Sequence, residues 1–417
     1  MTASPRKAEP RNSANPVAAL RGASRLAIDA VAGVTGIAED LHRSITGAAP
    51  IVGKARTGRT QGITGLVYRS VRGVTRAVGF GLDTVLGQLA PLLRDAKPSP
   101  RAEAVSAALN GVFGDYLDAT ANPLAIPMQL RVKGRALALE SATLSKTFPA
   151  SNGRLLVLVH GLCMNDLQWS RDGHDHGAAL AQQLGVTPLY LHYNTGRRIA
   201  ANGEDFSAVL DQLVKAWPVP VAELIIVCHS MGGLVTRSAC AAAKTKRHGW
   251  LGRLNKLVFL GTPHHGAPLE RAGHWVDILL GVSPYTAPFA RLGKVRSAGI
   301  KDLRYGNFLP AHTHGMETLV PMPKGVPCFV AAATSREAAP TAAAQQPAHR
   351  PAHLPTQRPA RLSGDGLVPV RSALGQHKDA ARSLPIPAAR QAVFYGINHF
   401  DLLSSRAVAQ QLTRWLA

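Results

Sequence analysis

The sequence predicts an α/β fold in which a mostly parallel sheet is covered by helices on both faces. Three observations support this class. From residue 151 onward, apolar strand-like segments alternate with helical ones, the connections between them are short, and one buried strand stops abruptly at Ser230 before a helix begins. Alternation of this kind is typical of parallel sheets, whose ligand chemistry lies at the carboxyl ends of the strands.

Composition indicates a globular protein with long irregular segments. The 417 residues are 46% hydrophobic and 17% charged, which suffices for a sizeable core. The formal net charge of +22 favours contact with an anionic surface, either membrane lipid or nucleic acid. Because the sequence contains neither paired Cys/His ligands nor an aromatic-glycine ribonucleoprotein motif, specific nucleic acid binding is the weaker of these two interpretations.

The sequence also bears on the cellular compartment. The four cysteines lack C-x-x-C spacing, and three of them lie in apolar surroundings, where free cysteine usually behaves as a small buried hydrophobe. No apolar run approaches the roughly 18 residues of a spanning helix, and the first residues lack the continuous apolar core of a signal peptide. We therefore expect a cytoplasmic protein, with peripheral membrane contact as an alternative.

The region before the alternating part is basic. Residues 1–20, rich in Ala, Pro, Arg and Ser, predict a disordered basic leader, and residues 21–150 predict a helical extension. Over residues 63–89 apolar side chains recur at steps of three and four, while three arginines fall on the opposite face. This basic amphipathic helix has two interpretations, attachment to an anionic bilayer or packing against a neighbouring helix. No feature predicts an oligomeric state.

The elements of residues 151–417 can be assigned in order. Each predicted strand is an apolar run bounded by turn residues, and each helix carries apolar side chains at helical spacing. Strands are predicted at residues 155–159, 187–193, 224–227, 256–260, 327–332 and 392–395, and helices at residues 178–184, 206–217, 234–243 and 406–415. Ahead of them we predict a helix at residues 103–119 and a strand pair at residues 128–132 and 136–141.

Two segments interrupt the alternation. Residues 268–319 contain amphipathic pieces broken by Pro and Gly, which indicates a cap over the substrate, with helices that only shield the sheet as the alternative. The aromatic residues Trp275, Tyr285 and Phe289 of this segment are candidates for substrate contact. Residues 335–361 are almost entirely Ala, Pro, Gln, Arg and His and predict a disordered insertion.

The strand that ends at Ser230 has the pattern of a nucleophile elbow, in which a sharp turn joins a strand to a helix. The turn strains the backbone of the nucleophile, so the residues two before and two after it must be small. They are Cys228 and Gly232, and Cys228 replaces the usual glycine. The alternative is a buried Ser230 that only caps the following helix.

A serine hydroxyl is a weak nucleophile and needs a base and an orienting acid. His399 follows the last predicted strand, and Asp365 lies in a Gly-Asp-Gly turn before that strand. We expect His399 to accept the proton of Ser230 and Asp365 to orient the imidazole. Asp401 is the alternative acid, although it is better explained as the start of a helical turn. For His399 the alternative is a loop histidine packed on Phe400.

Negative charge on the substrate carbonyl requires two backbone N–H donors, an oxyanion hole, and we predict those of Leu162 and Met231. His160 and His229 lie beside strand ends, where structural hydrogen bonds are commoner than chemistry, and substrate contact is the alternative. Adjacent histidines elsewhere have poor geometry for metal ligands, so we expect neither a metal ion nor a cofactor.

Six short motifs in order resemble those of bacterial α/β-hydrolase lipases and esterases, in particular the branch similar to GPI inositol-deacylase. They are L-V-H-G-L at residues 158–162, Y-N-T-G at 193–196, H-S-M-G-G at 229–233, G-T-P-H-H-G at 261–266, G-D-G-L-V-P at 364–369 and N-H-F-D at 398–401. The resemblance covers about residues 155–417. It implies the α/β-hydrolase fold and hydrolysis of an ester with a lipid-like acyl group.

The sequence therefore predicts a hydrolase domain at residues 151–417 that cleaves carboxylic esters through an acyl-enzyme on Ser230. Two alternatives stay open. An acyltransferase would use the same three side chains with another acceptor. A non-catalytic scaffold would use the basic arm to reach a membrane or storage-granule surface.

Overall fold

The computed structural model describes residues 100–266, 297–311, 320–337 and 364–417, together with Gly22. The predicted leader and the amphipathic helix at 63–89 lie outside the described residues. So do residues 268–296 and 312–319 of the predicted cap and residues 338–361 of the predicted insertion.

The chain divides into two compact units. The first is Met1–Ser99 with Leu117–Ala125, and the second is Pro100–Tyr116 with Ile126–Ala417. In the first unit, Asn122 Nδ2 donates a hydrogen bond to the Gly22 carbonyl at 3.0 Å. The sheet and the candidate site belong to the second unit.

Among the described residues, the second unit contains an eight-stranded sheet and a separate two-stranded hairpin. The strands are β1 (Gln129–Val132), β2 (Arg135–Ala136), β3 (Arg154–Val159), β4 (Ser170–Arg171), β5 (His174–Asp175), β6 (Thr187–His192), β7 (Glu223–His229), β8 (Leu254–Leu260), β9 (Cys328–Thr334) and β10 (Gln391–Tyr395). Their order is β10-β9-β8-β7-β3-β6-β1-β2, and β4 and β5 form a separate hairpin. Neighbouring strands from β10 to β6 are parallel, whereas β1 is antiparallel to both β6 and β2.

The helices cover both faces of the sheet. They are α1 (Pro100–Ala119), α2 (Ser141–Thr147), α3 (His176–Leu184), α4 (Ile199–Ala216), α5 (Met231–Lys246), α6 (Ala298–Tyr305), α7 (Val370–Ala373) and α8 (Arg406–Leu416). The β3-α3-β6 connection moves toward β1, whereas the β6-α4-β7 connection moves back across β3. Because such crossovers are right-handed, α3 and α4 lie on opposite faces. Consistently, α8 packs on α3 and α5 packs on α4.

The expected fold class is confirmed. The mostly parallel sheet has helices on both faces, and its central strand β7 runs through Ser230 directly into α5, which is the strand-turn-helix arrangement of an α/β-hydrolase. Strand β7 is buried from Leu224 to His229. Burying a Val, Leu or Ile side chain contributes about 1.5–3 kcal/mol each, so this strand is a rigid support for the turn that follows it. Within the described residues, no helix is both long and apolar enough to cross a membrane.

Several boundaries differ from the predicted ones. The predicted hydrolase domain begins at residue 151, but the sheet also includes the earlier strand β1. Gln129 of β1 pairs with His192 of β6. The alternating Ala and Leu residues predict a strand to residue 141, but β2 ends at Ala136. Beyond it, Leu137 and Leu139 pack against the core.

Four helices begin earlier than predicted, α1 and α3 by two or three residues, and α4 and α5 because glycine, a poor helix former, lies near their starts. Helix α4 begins at Ile199 and α5 at Met231. Gly203, in the second turn of α4, has a packing function. A Cβ atom there would lie 2.2 Å from Ser238 Oγ of α5, so only glycine permits this close approach of the two helices.

A buried charge cluster joins α1, β1 and β6. The Arg131 guanidinium on β1 lies 3.1 Å from Glu103 Oε2 and 3.2 Å from Asp166 Oδ1, and all three residues are buried. His192 Nδ1 is 3.1 Å from the same Asp166 oxygen. Burial raises the pKa of Asp166, but the contact with His192 and the charge of Arg131 outweigh it, so the pKa lies below its ordinary value of 3.8.

We predict that Arg131→Met lowers the free energy of unfolding by about 3–5 kcal/mol, because it leaves two buried carboxylates without their cation. Urea denaturation at pH 7 measures the change. Arg135→Met on β2, where the side chain is exposed, is the matched control and should change stability by less than about 0.5 kcal/mol.

Acid should reduce the difference in the free energy of unfolding between the parent and Arg131→Met. In the parent, the lowered pKa of Asp166 contributes stability above pH 3.8 that is lost as the pH falls through the folded-state value. In the variant, the charge of Arg131 no longer lowers the pKa of Asp166, so less of this stability should be lost in acid. Equal losses of stability at pH 7 and pH 3 would contradict this electrostatic explanation.

Candidate active site

Ser230 lies in a strained turn between β7 and α5. Its backbone has φ 53° and ψ −126°, a region that is costly for any residue with a side chain, at about 1–3 kcal/mol. Hydrogen bonds hold the turn, because Ser230 N donates to the Leu260 carbonyl at 2.9 Å and Gly233 N donates to the Ser230 carbonyl at 3.1 Å. This turn places Ser230, which is buried, at the carboxyl edge of the sheet.

Small residues on either side make the turn sterically feasible. A Cβ atom on Gly232 would lie 2.6 Å from the carbonyl oxygens of both Val159 and His160, so no larger residue fits without movement of the backbone. Cys228, which replaces the usual glycine, is fully buried, and its Sγ donates to the Val258 carbonyl at 3.1 Å. Burial raises the pKa of the Cys228 thiol well above its ordinary value, so it remains protonated.

Asp365 and His399 form a buried pair. His399 Nδ1 donates to Asp365 Oδ2 at 2.7 Å, and both side chains are at most 1% exposed. The other carboxylate oxygen accepts hydrogen bonds from Leu367 N at 3.0 Å and Val368 N at 2.7 Å. Since His399 N also donates to the Asp365 carbonyl, the ring and the main chain of His399 are both tied to the acid loop.

The alternative acid has a different role in the structure. Asp401 Oδ2 accepts a hydrogen bond from Asn398 N at 2.9 Å, and Asp401 begins a short 3-10 turn, Asp401–Leu403. This is the turn-opening position that the sequence suggests for it. Its carboxylate therefore organises the loop that contains His399.

The imidazole of His399 packs on the residue before the strained serine. Its ring centroid is 4.6 Å from that of His229, the residue before Ser230. A Cβ atom on Gly261 would lie 2.9 Å from His399 Cε1, so this glycine leaves room for the ring next to the β8 carbonyl that binds Ser230. Ser230 Oγ makes no hydrogen bond within the described part of the chain. Asp365 and His399 are thus hydrogen-bonded to each other, and the His399 ring packs on the residue that precedes Ser230.

The predicted oxyanion donors flank the same serine. Leu162 follows β3, and a Cβ atom on the neighbouring Gly161 would lie 3.0 Å from Ser230 Cβ. Met231 is the first residue of α5, where the helix dipole favours negative charge. Among the described backbone–backbone hydrogen bonds outside helices and strands, none uses the N–H of Leu162 or Met231, which leaves both groups suited to bind an anion.

The Y-N-T-G motif supports the Leu162 loop, a role that sequence reasoning missed. Tyr193 Oη donates to the His160 carbonyl at 2.9 Å, and Cys163 N donates to Thr195 Oγ1 at 3.1 Å. Cys163 itself has φ 58°, so the turn after Leu162 is strained and needs such support. The signal available in the sequence was the position of the motif directly after β6.

The remaining predicted residues divide into two groups. His160 and His229 are fully buried and bonded to main-chain carbonyls, His160 Nδ1 to Gly161 at 3.0 Å and His229 Nε2 to His399 at 3.1 Å. Burial lowers the pKa of His160 to about 3 and that of His229 well below its ordinary value. The other group lies outside the described residues and comprises Trp275, Tyr285 and Phe289. No group of three potential metal ligands occurs in the described ranges.

One protein-family model matches part of the chain. A domain of unknown function (DUF7379) matches residues 101–303, slightly less than half of the chain. No curated protein matches the sequence.

Solved structures of lipases and esterases are similar to the chain at low identity. Mature Bacillus licheniformis lipase BlEst2 is 16% identical with a TM-score of 0.39, over 63% of this chain and 92% of its own. An esterase from Pyrobaculum calidifontis is 14% identical with a TM-score of 0.39, over 64% and 75%. Aspergillus fumigatus lipase B is 11% identical with a TM-score of 0.38, over 68% and 55%. The fold assignment rests on strand order and on the turn at Ser230, not on these similarities.

We predict that Gly232→Ala destabilises the fold by about 1–3 kcal/mol, because the new methyl group would overlap two main-chain oxygens in a packed interior. Thermal unfolding followed by circular dichroism measures the change.

Gly252→Ala is the matched control, since a Cβ atom there has no neighbour within 4 Å. The control should unfold at nearly the parental temperature. Equal stability of the two variants would contradict the claim that close contact between β3 and α5 requires glycine at position 232.

Proposed function

We propose that this chain is a serine hydrolase that cleaves carboxylic esters through an acyl-enzyme on Ser230. The observation that carries the proposal is the 2.7 Å hydrogen bond between Asp365 and His399 beside a serine with φ 53°. A buried acid-histidine pair next to a strained serine is the arrangement that converts a hydroxyl into a nucleophile. A serine that only capped a helix would need neither partner.

In the proposed reaction, Ser230 Oγ attacks the ester carbonyl carbon while His399 Nε2 accepts the hydroxyl proton. The tetrahedral intermediate collapses, the bond to the alcohol breaks, and His399 returns the proton to the departing alkoxide. Water then attacks the acyl-enzyme with His399 again as base, which releases the carboxylic acid and restores Ser230.

The surrounding groups stabilise the charges that develop. The Asp365 carboxylate holds the Nδ1–H tautomer of His399 and stabilises the imidazolium. The N–H groups of Leu162 and Met231 are proposed to bind the oxyanion, for which the loss of one donor typically costs about 10²–10³ in rate.

The proposed substrate is a lipid-like acyl ester. The support is the set of motifs that resemble lipases and esterases, including the branch similar to GPI inositol-deacylase. The chemistry of the head group does not follow from the resemblance, so a substrate panel has to vary the acyl chain and the alcohol independently.

We predict that the purified chain hydrolyses p-nitrophenyl esters and that Ser230→Ala lowers kcat by about 10⁶-fold, because no other group can form the acyl-enzyme. The measurement is a panel of acyl chain lengths, with circular dichroism to show that the variant is folded. Acyl transfer would be recognised by a new ester when a second alcohol is added. Equal, negligible rates for parent and variant across the panel would favour the scaffold interpretation.

We predict that Asp365→Asn lowers kcat by about 10⁴-fold. The amide can still accept the hydrogen bonds of the acid loop, but its NH₂ would face His399 Nδ1 and favour the Nε2–H tautomer, which cannot accept a proton from Ser230. Steady-state kinetics measures the loss.

Asp401→Asn is the matched control, because its amide oxygen can still accept the hydrogen bond from Asn398 N. It should keep activity within a few-fold of the parent. A larger loss in Asp401→Asn than in Asp365→Asn would exchange the roles proposed for the two acids.

A further inference from the structure

We infer that His229 is a positioning residue whose Nε2–H group fixes the main chain of His399 and thereby holds the imidazole next to Ser230. The inference rests on the proposed function, because it assigns His399 as the base. It extends that proposal to a side chain that touches neither the ester nor the transferred proton.

The hydrogen bond defines the tautomer of His229. Its Nε2 lies 3.1 Å from the His399 carbonyl oxygen, which can only accept, so the proton of the neutral ring must be on Nε2. Burial, together with the nearby His399 ring, lowers the pKa of His229 well below its ordinary value. The ring is therefore a neutral donor that adds no positive charge next to the imidazolium formed in the proposed reaction.

The two ends of this hydrogen bond differ in rigidity. His229 is the last residue of β7, a central strand that pairs on both sides and is buried from Leu224 onward. His399 lies in a loop after β10, an edge strand whose residues are only partly buried. The bond therefore connects the loop that contains the proposed base directly to the strand that leads into the proposed nucleophile.

His399 needs this second restraint. Asp365 binds both the ring and the main-chain N–H of His399. These two bonds fix His399 relative to Asp365, but they do not prevent the two residues from rotating together relative to β7. The carbonyl bond to His229 and the ring contact at 4.6 Å act against that rotation. A displacement of about 1 Å between reacting groups can cost about 10²-fold in rate.

The alternative is that His229 only fills space. Two substitutions separate these roles. His229→Gln can provide an N–H near the position of Nε2 but has no ring, whereas His229→Phe keeps an aromatic ring of similar volume but has no donor. If space filling decides, Phe should preserve activity better than Gln, because it is the better apolar filler.

We expect the opposite order. His229→Phe should lower kcat by about 10²-fold with little change in KM, because the misplaced base affects only the transition state. His229→Gln should stay within about 5-fold of the parent, since the donor is retained, while thermal unfolding should find Phe at least as stable as Gln. Equal kcat values for the two variants, or a loss confined to KM, would overturn the inference.

A second readout does not depend on ester hydrolysis. In the Ser230→Ala background, proton NMR can follow the His399 Nδ1–H that is bonded to Asp365. Its exchange with water should accelerate in His229→Phe and remain parental in His229→Gln. If no ester is hydrolysed but this difference is found, the positioning role stands and the proposed function fails. If esters are hydrolysed but exchange is unchanged in Phe, the positioning role fails alone.

Discussion

The backbone of Ser230 is the constraint on which the rest of the site depends. A residue with a side chain at φ 53° and ψ −126° persists only when its surroundings hold it there. The buried strand β7 fixes the chain before the turn, α5 fixes it after, and the carbonyl of Leu260 on β8 binds the Ser230 N–H. The stability of the sheet thus offsets a local strain of about 1–3 kcal/mol.

Hydrogen bonds hold each of the three loops near Ser230. Tyr193 and Thr195 hold the loop of Leu162, and His229 holds the loop of His399. Asp365 is held by N–H groups of its own turn. Groups fixed in this way need little reorganisation when charge develops, which is the main source of rate acceleration in enzymes of the proposed class.

The parts of the site that are local in sequence could be predicted. The turn at Ser230 is encoded by a strand, small residues and a helix within a dozen positions, and the chain order of Ser230, Asp365 and His399 follows from strand topology. The contacts of His229 with His399 and of Arg131 with Asp166 could not be predicted, because they join residues far apart in the chain. No local periodicity encodes which strand end faces which loop.

Several predicted boundaries of helices and strands were wrong for a related reason. The early starts of α4 and α5 contain Gly203 and Gly232, which lower helix propensity but are required where a helix approaches its neighbour closely. Similarly, the alternation at residues 136–141 has the period of a strand, yet its leucines pack on the core. In each case tertiary packing outweighed the local preference of the sequence.

The central claim is that the sheet presents Ser230 as an activated nucleophile. Its most direct test is mass spectrometry of the native chain after reaction with a fluorophosphonate, which bonds covalently to activated serines. We predict a single adduct that maps to Ser230 and is absent when the chain is denatured beforehand. A native chain with no adduct, or with its adduct on another residue, would contradict the account.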